Sequence, residues 1–113
     1  MGAEETRELL PGTLDMLILK VLSRGEMHGY GIVSAIQRAS DEVLGVVEGA
    51  LYPALHRLER RSFLEEEWGL TDTGREAKYY TLTAVGRTHL RAESKRWTRF
   101  SAAISRAITA ASA

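Results

Sequence analysis

Hydrophobic residues recur with the period of an α-helix over most of this chain. The first such segment follows a Pro-Gly-Thr break at residues 11–13 and ends near Gly25, and a second runs over about residues 29–39. In both, apolar side chains recur three and four positions apart, which places them on one face of a helix. The chain is therefore predicted to begin with two amphipathic helices, followed by a polar loop over residues 40–48.

A third helical stripe is formed by three leucines, which recur at i, i+4 and i+7 from Leu51. Because proline is tolerated in the first turn of a helix, where the amide it lacks has no partner, Pro53 predicts a helix that starts near Gly49. The face away from the leucines carries donors long enough to reach phosphates and base edges. These donors are Tyr52, His56, Arg57, Arg60 and Arg61. The segment is typical of a helix that contacts DNA.

The hydrophobic period changes after residue 62. Two short segments, 63–68 and 77–82, flank a turn-forming stretch over residues 69–75, which predicts a β-hairpin. The predicted connection is longer than the two to five residues common in hairpins. Three helices followed by a hairpin is the order of a winged helix-turn-helix, in which the third helix enters the major groove and the hairpin is the wing. The predicted fold class is mainly α, with a small β part (α+β).

A last helix is predicted to begin after Thr83, which caps it, and to run for about 25 residues, or about 37 Å. Its apolar positions step by four and three, which is a heptad seam. The seam residues that we single out are Leu90, Trp97, Phe100, Ile104 and Ile108. Because this helix outruns a domain of this size, its simplest partner is the same helix of a second copy. We expect a homodimer, although the helix could instead fold back on its own domain.

These predictions divide the chain into a winged helix-turn-helix domain, residues 1–83, and a C-terminal dimerisation helix, residues 84–113. Trp97 would lie near the two-fold axis of the dimer. There it either fills the core of the interface or lines a gap that a flat molecule could enter.

Four further residues are candidates for DNA contact. Arg75 and Lys78 lie on the predicted wing, where they could reach flanking phosphate or the minor groove, and Lys78 could equally be a solvated surface residue. His28 and Tyr30 lie at the start of the second helix, where backbone amides point outward and attract phosphate. A packing role fits these two residues as well.

Two residues of the third helix also have alternatives. The ring of Tyr52 could close over the second helix and be buried. Arg57 could lie sideways and pair with Glu59 or with an acid of the second helix. Either arrangement would remove that side chain from DNA.

The charge is balanced over the chain but unevenly distributed. The formal net charge is zero; residues 1–51 hold four basic and eight acidic side chains, whereas residues 52–113 hold eleven basic and seven acidic ones. This asymmetry concentrates positive potential in the second half of the chain, as expected of a DNA-facing surface on an otherwise neutral protein, although an uneven scatter of charges by chance would give the same balance.

Composition narrows the class of protein further. The absence of cysteine excludes disulfides, thiolate catalysis and cysteine-based zinc sites. The three histidines are far apart, no pair has helical i, i+4 spacing, and no nucleophile motif is present, so we expect neither a metal site nor a cofactor nor an enzyme. Because the chain has no apolar run of about 18 residues and no signal peptide, we expect a cytoplasmic protein without a membrane span.

Five segments of the chain carry motifs in register: residues 9–20, 28–31, 49–59, 67–68 and 77–83. Together with Trp97 they resemble the PadR family of bacterial transcriptional regulators, in its short-tailed type. The resemblance implies a dimeric winged-helix repressor that binds a palindromic promoter site in double-stranded DNA. It also implies release by a small aromatic or drug-like effector.

The chain departs from that pattern at three positions. Ala50 stands where the family often has a serine that reaches phosphate, Glu76 follows Arg75 on the wing, and Ser62 replaces a common glycine, a change expected to matter little. The first two departures leave room for a winged helix that binds another protein instead of DNA. A third possibility is a small-molecule carrier built on the dimer seam.

Overall fold

The computed structural model describes residues 12–112 and places four helices and three strands in them. The helices are α1 (Thr13–Leu22), α2 (Gly29–Ala39), α3 (Glu48–Arg60) and α4 (Ala84–Ser112). The strands are β1 (Met27–His28), β2 (Leu64–Leu70) and β3 (Glu76–Leu82). This order confirms the predicted fold class, a mainly α winged helix-turn-helix with a long C-terminal helix.

The core lies between the first three helices and the inner face of the hairpin. The apolar stripes predicted for α1, α2 and α3 face this core. Burial of its apolar stripe is what holds each of these amphipathic helices in place. The core residues are Ile18, Leu19, Val21, Leu22, Ile32, Ile36, Leu51, Ala54, Leu55, Leu58, Phe63, Leu64, Tyr80, Leu82 and Leu90.

Strand β1 is an element that the sequence did not predict. It pairs antiparallel with β3, Met27 opposite Tyr80 and His28 opposite Tyr79, so the strand order in the sheet is β1-β3-β2. Two residues are too few to show the alternation of a strand. The pairing attaches the start of α2 directly to the wing.

The hairpin connection is shorter than predicted. β2 and β3 remain paired from Leu64 opposite Leu82 to Leu70 opposite Glu76, which leaves a five-residue connection over 71–75. The prediction of an unusually long loop is therefore wrong, because Gly69, taken for turn material, lies inside the strand. A Cβ at Gly69 would lie 3.0 Å from the ring of Tyr79. The glycine thus makes room for Tyr79, whose hydroxyl donates to the Leu70 carbonyl at 3.0 Å.

Helix α3 begins at Glu48, one residue before the predicted start, so Pro53 is its sixth residue. The prediction that Pro53 lies in the first turn is wrong. The missing amide leaves the Gly49 carbonyl without the partner that an i+4 residue would supply. Because Gly49 is exposed, water can hydrate that carbonyl.

The C-terminal end of α3 is closed by a Schellman motif. The amide of Ser62 donates to the Glu59 carbonyl at 2.9 Å, and the amide of Phe63 donates to the Leu58 carbonyl at 3.0 Å. Ser62 adopts a left-handed conformation with φ of 63°. An L-residue there costs about 1–2 kcal/mol that glycine avoids. The expectation that serine matters little at this position is therefore wrong for the backbone.

Helix α4 starts in close contact with this same segment. Thr83 caps it as predicted: its hydroxyl accepts from the Gly86 amide at 2.9 Å and donates to the Ser62 carbonyl at 2.6 Å. The Thr83 amide also donates to the Phe63 carbonyl at 3.0 Å. A Cβ at Gly86 would lie only 2.2 Å from that carbonyl oxygen. Only glycine allows the first turn of α4 to approach so closely.

The first two turns of α4 pack into the core of the same chain. Leu90 is 6% exposed, and the His89 ring stacks on Phe63 with centroids 4.3 Å apart. The prediction that Leu90 belongs to a dimer seam is therefore wrong, because heptad spacing does not tell which surface an apolar residue meets. The division at residue 84 stays a prediction: α4 begins at that boundary, and its first two turns pack against the part before it.

We expect Gly86→Ala to lower the free energy of unfolding by about 2 kcal/mol or more, because the added methyl group requires the Phe63 carbonyl to move. Urea denaturation followed by circular dichroism measures it. Gly49→Ala is the matched control: nothing lies within 4 Å of its Cβ position, so it should leave stability unchanged or raise it by up to about 1 kcal/mol. Equal effects of the two variants would contradict the close contact.

Candidate nucleic-acid interface

Helix α3, the start of α2 and the wing enclose an open cleft of about 790 Å³. Six of the nine residues predicted to contact DNA line it. They are His28, Tyr30, Tyr52, His56, Arg75 and Lys78. The other three, Arg57, Arg60 and Arg61, are not among its lining residues. The structure thus brings together side chains that lie up to 50 positions apart in the sequence.

At the start of α2 the two candidates differ in environment. The His28 ring caps the helix, since its Nδ1 accepts from the Gly31 amide at 3.2 Å, and it meets the Tyr79 ring edge-on at 5.5 Å between centroids. These contacts match the packing alternative for His28. Tyr30 is exposed at the mouth of the cleft, where its hydroxyl is accessible to a phosphate.

Tyr52 lies across the start of α2 and still faces the cleft. A Cβ at Gly29 would lie 2.9 Å from the Tyr52 hydroxyl oxygen, so this glycine makes room for the tyrosine. The side chain nevertheless remains 48% exposed. The Tyr52 ring therefore lies over α2 and is still available to a ligand.

Arg57 is held by helix α1. Its Nη2 donates to Oδ1 of Asp15 at 2.8 Å, and its Nε donates to Oδ2 at 3.4 Å. The predicted sideways position is correct, but the predicted partner, Glu59 or an acid of α2, is wrong. Asp15 lies 42 residues away in the sequence, and only the packing of α1 against α3 brings it near.

The two arginines at the end of α3 are exposed. The Arg61 guanidinium lies over the Phe63 ring, 4.7 Å from its centroid, and Phe63 in turn stacks on His89. Arg61 therefore lies on the side of α3 that faces α4. Contact with DNA by Arg60 and Arg61 stays a prediction.

The wing carries a paired lysine. Lys78 Nζ lies 3.1 Å from Glu66 Oε1 and 5.7 Å from the centroid of Trp68, the residue opposite it in the hairpin. Within the acidic run over residues 65–67, Glu66 therefore has a basic partner. Residues 66, 68, 78 and 80 share one face of the hairpin, and the alternation of β-strands could have revealed this grouping.

Two carboxyl groups share a proton between α3 and the wing. Partial burial and a hydrogen bond with Glu66 raise the pKa of Glu59 to about 7. Hydrogen bonds from Glu59 and Lys78 lower the pKa of Glu66. While it holds its proton, Glu59 therefore donates a hydrogen bond to the Glu66 carboxylate. His56 adjoins this group, with Nδ1 3.8 Å from Glu59 Oε1.

The remaining predicted site residues lie along α4. Trp97, Phe100, Ile104 and Ile108 form an exposed strip, with exposed fractions between 41% and 63%. The first three also line a groove of about 220 Å³ together with the start of α1.

Residues 12–112 show neither a metal site nor a membrane span. They contain no group of three histidine, aspartate or glutamate side chains placed to hold a metal ion. No helix in this part of the chain is both long and apolar enough to cross a membrane.

The model of the Transcriptional regulator PadR-like family matches residues 18–92, a segment that includes α2, α3 and the whole wing. The chain belongs to this family. Its members are transcriptional regulators.

Known structures agree with this assignment. A transcriptional regulator from Clostridium thermocellum is 28% identical, with a TM-score of 0.76 over 84% of this chain and 92% of that one. A PadR family regulator from Eggerthella lenta is 30% identical, with a TM-score of 0.71 over 86% of this chain and 82% of that one.

A characterised relative is the negative transcriptional regulator PadR of Bacillus subtilis, which is 31% identical over 77 residues. The match covers 68% of this chain and 42% of that protein. The chain spans between 23% and 42% of the length of several curated relatives.

The contact between Glu59 of α3 and Glu66 of the wing should make the stability of the fold depend on pH. Because folded Glu59 keeps its proton up to about pH 7 and the unfolded chain releases it near 4.5, this group stabilises the fold at low pH and loses that contribution as the pH rises through about 7. We expect the unfolding free energy to fall between pH 5 and 8 by on the order of 1 kcal/mol more in the wild type than in Glu59→Gln.

Urea denaturation at the two pH values measures this difference. Glu65→Gln is the matched control, since Glu65 is an exposed neighbour on the other face of β2. The same loss in Glu59→Gln as in the wild type would rule out the shared proton.

Proposed function

We propose that this PadR-like regulator is a homodimeric repressor that binds a palindromic promoter site in double-stranded DNA through α3 and the wing. A small aromatic or drug-like ligand releases it. The observation that carries the proposal is the convergence of Tyr52, His56, Arg75 and Lys78 on one cleft.

The chemistry of the cleft supports contact with a DNA duplex. His56 lies exposed on α3, where it can donate to a base edge, whereas Arg75 and Lys78 lie on the wing, where they can reach phosphates beside the site. A winged helix uses its two parts in this way, with the helix in the major groove and the hairpin on the flanking backbone.

The exposed strip on α4 supports the dimer. Trp97, Phe100 and Ile104 lie on one side of a helix that extends beyond the core of its own chain. A second α4 packed against this strip would bury them, and two-fold symmetry would repeat the α3–wing surface for the second half-site. Trp97 lines the neighbouring groove of about 220 Å³, which supports a site where a flat ligand stacks on the indole.

DNA selected from a random double-stranded pool tests the proposal. We expect the logarithm of the affinity to fall linearly with the logarithm of the salt concentration. Lys78→Ala should weaken binding to all sequences alike and reduce the slope of that line by about 1. His56→Ala should weaken binding about tenfold and also relax the preference at one base position in each half-site. Gel shift and repeated selection with each variant measure both effects.

Arg106→Ala is the control for charge, because Arg106 lies about 33 Å along α4 from its start. It should bind like the wild type. An affinity that does not change with salt would contradict the proposal. So would capture of one stoichiometric protein partner in nuclease-treated lysate without any DNA shift, which would instead identify a protein-interaction module.

The dimer has a test of its own. Ile104→Glu should make the protein monomeric over the micromolar range, because it places a charge on the strip that the partner helix would bury. Sedimentation velocity measures the mass of the particle. Ala102→Glu, two positions away and therefore on the other side of α4, should remain dimeric. A wild-type protein that sediments as a monomer over the same range would exclude the dimer.

A further inference from the structure

Most of the large apolar side chains that stay exposed in residues 12–112 form two groups. One group is the strip on α4. The other comprises Tyr30, Tyr52 and Trp68, which line the cleft, and Leu70, which follows Trp68 on the same face of β2. A second copy of α4 packed on the strip would cover the first group, whereas the second group lies on α2, α3 and the wing, apart from that strip.

Trp68 is the largest member of that second group, and it is 64% exposed. It shares one face of the hairpin with Glu66, Lys78 and Tyr80. Tyr80 on this face is buried in the core, so the face is turned towards α3. The indole therefore lies on the concave side of the wing, across the cleft from His56.

The surroundings of the indole define what can cover it. Lys78 Nζ lies 5.7 Å from the ring centroid, and the cleft that Trp68 lines also contains Arg75. A complementary ligand must combine negative charge with a flat apolar surface. The sugar-phosphate backbone of DNA does so at every nucleotide, because each phosphate adjoins a deoxyribose with several exposed C–H groups.

We propose that Trp68 is a DNA-contacting residue of the wing. Its indole face packs against a deoxyribose of the backbone that flanks each half-site. Lys78 at the same time leaves Glu66 and binds the phosphate next to that deoxyribose. This inference rests on the proposed DNA-binding function and adds a contact to it.

The position of Lys78 explains why Lys78 and Trp68 would bind the DNA backbone together. In the free protein, the ammonium group of Lys78 lies 3.1 Å from Glu66 Oε1 and over the indole ring, 5.7 Å from the ring centroid. Moving it to a phosphate exchanges one anion for another, so the ion pair with Glu66 offsets part of the gain from DNA. Burial of the indole supplies a favourable contribution that does not depend on charge, since apolar area is removed from water.

The experiment uses the full chain and a duplex selected from a random pool with the wild type. We expect Trp68→Ala to weaken binding by about tenfold without changing the dependence on salt, because an aromatic contact with nucleic acid is lost and no charge is removed. Lys78→Ala should reduce the salt slope by about 1. Trp68→Phe keeps an aromatic face and should bind within about threefold of the wild type.

Fluorescence gives an independent readout. Binding of the duplex should decrease the quenching of the wild-type protein by acrylamide, and this change should disappear in Trp68→Phe, in which Trp97 is the remaining tryptophan. Val85→Ala is the matched control for loss of an exposed apolar side chain, since Val85 lies at the start of α4 and does not line the cleft. It should bind like the wild type.

The outcomes separate the two proposals. If the wild type fails to shift any duplex, the proposed function fails. The role of Trp68 is overturned if the wild type binds DNA and Trp68→Ala binds equally well, or if the acrylamide change persists in Trp68→Phe. An unchanged thermal midpoint of Trp68→Ala confirms that a weaker affinity does not reflect unfolding, as expected for an exposed side chain.

Discussion

The arrangement of this molecule depends on the close approach of α4 to the end of α3. Gly86 lies directly on the Phe63 carbonyl, and Thr83 donates hydrogen bonds to that carbonyl and to the Ser62 carbonyl before it. These contacts fix the direction in which α4 leaves the domain. In a two-fold dimer that direction also sets the separation of the two α3 helices, and hence the spacing of the half-sites that they could read.

Elements that depend on local periodicity could be predicted from the sequence. The leucine stripe from Leu51 identified α3, and its face away from the leucines holds the two residues, Tyr52 and His56, that reach the cleft. Thr83 was recognised as a cap because capping is a property of neighbouring residues. Such features need only the period of a helix and the chemistry of one turn.

Elements that depend on distant pairs could not be predicted. The partner of Arg57, Asp15, comes from a different helix, and β1 exists only because β3 provides its hydrogen-bond partners. The heptad spacing of α4 correctly indicated an apolar face, but it could not separate Leu90, which meets its own domain, from Trp97, which remains exposed. Periodicity identifies which side of a helix is apolar and says nothing about its neighbour.

The shared proton between Glu59 and Glu66 also changes the charge of the folded chain. The formal net charge of zero counts every carboxylate as ionised. A carboxyl group with a pKa of about 7 is half protonated at pH 7. The folded protein therefore carries more positive charge near neutral pH than its composition states. The added charge lies between α3 and the wing.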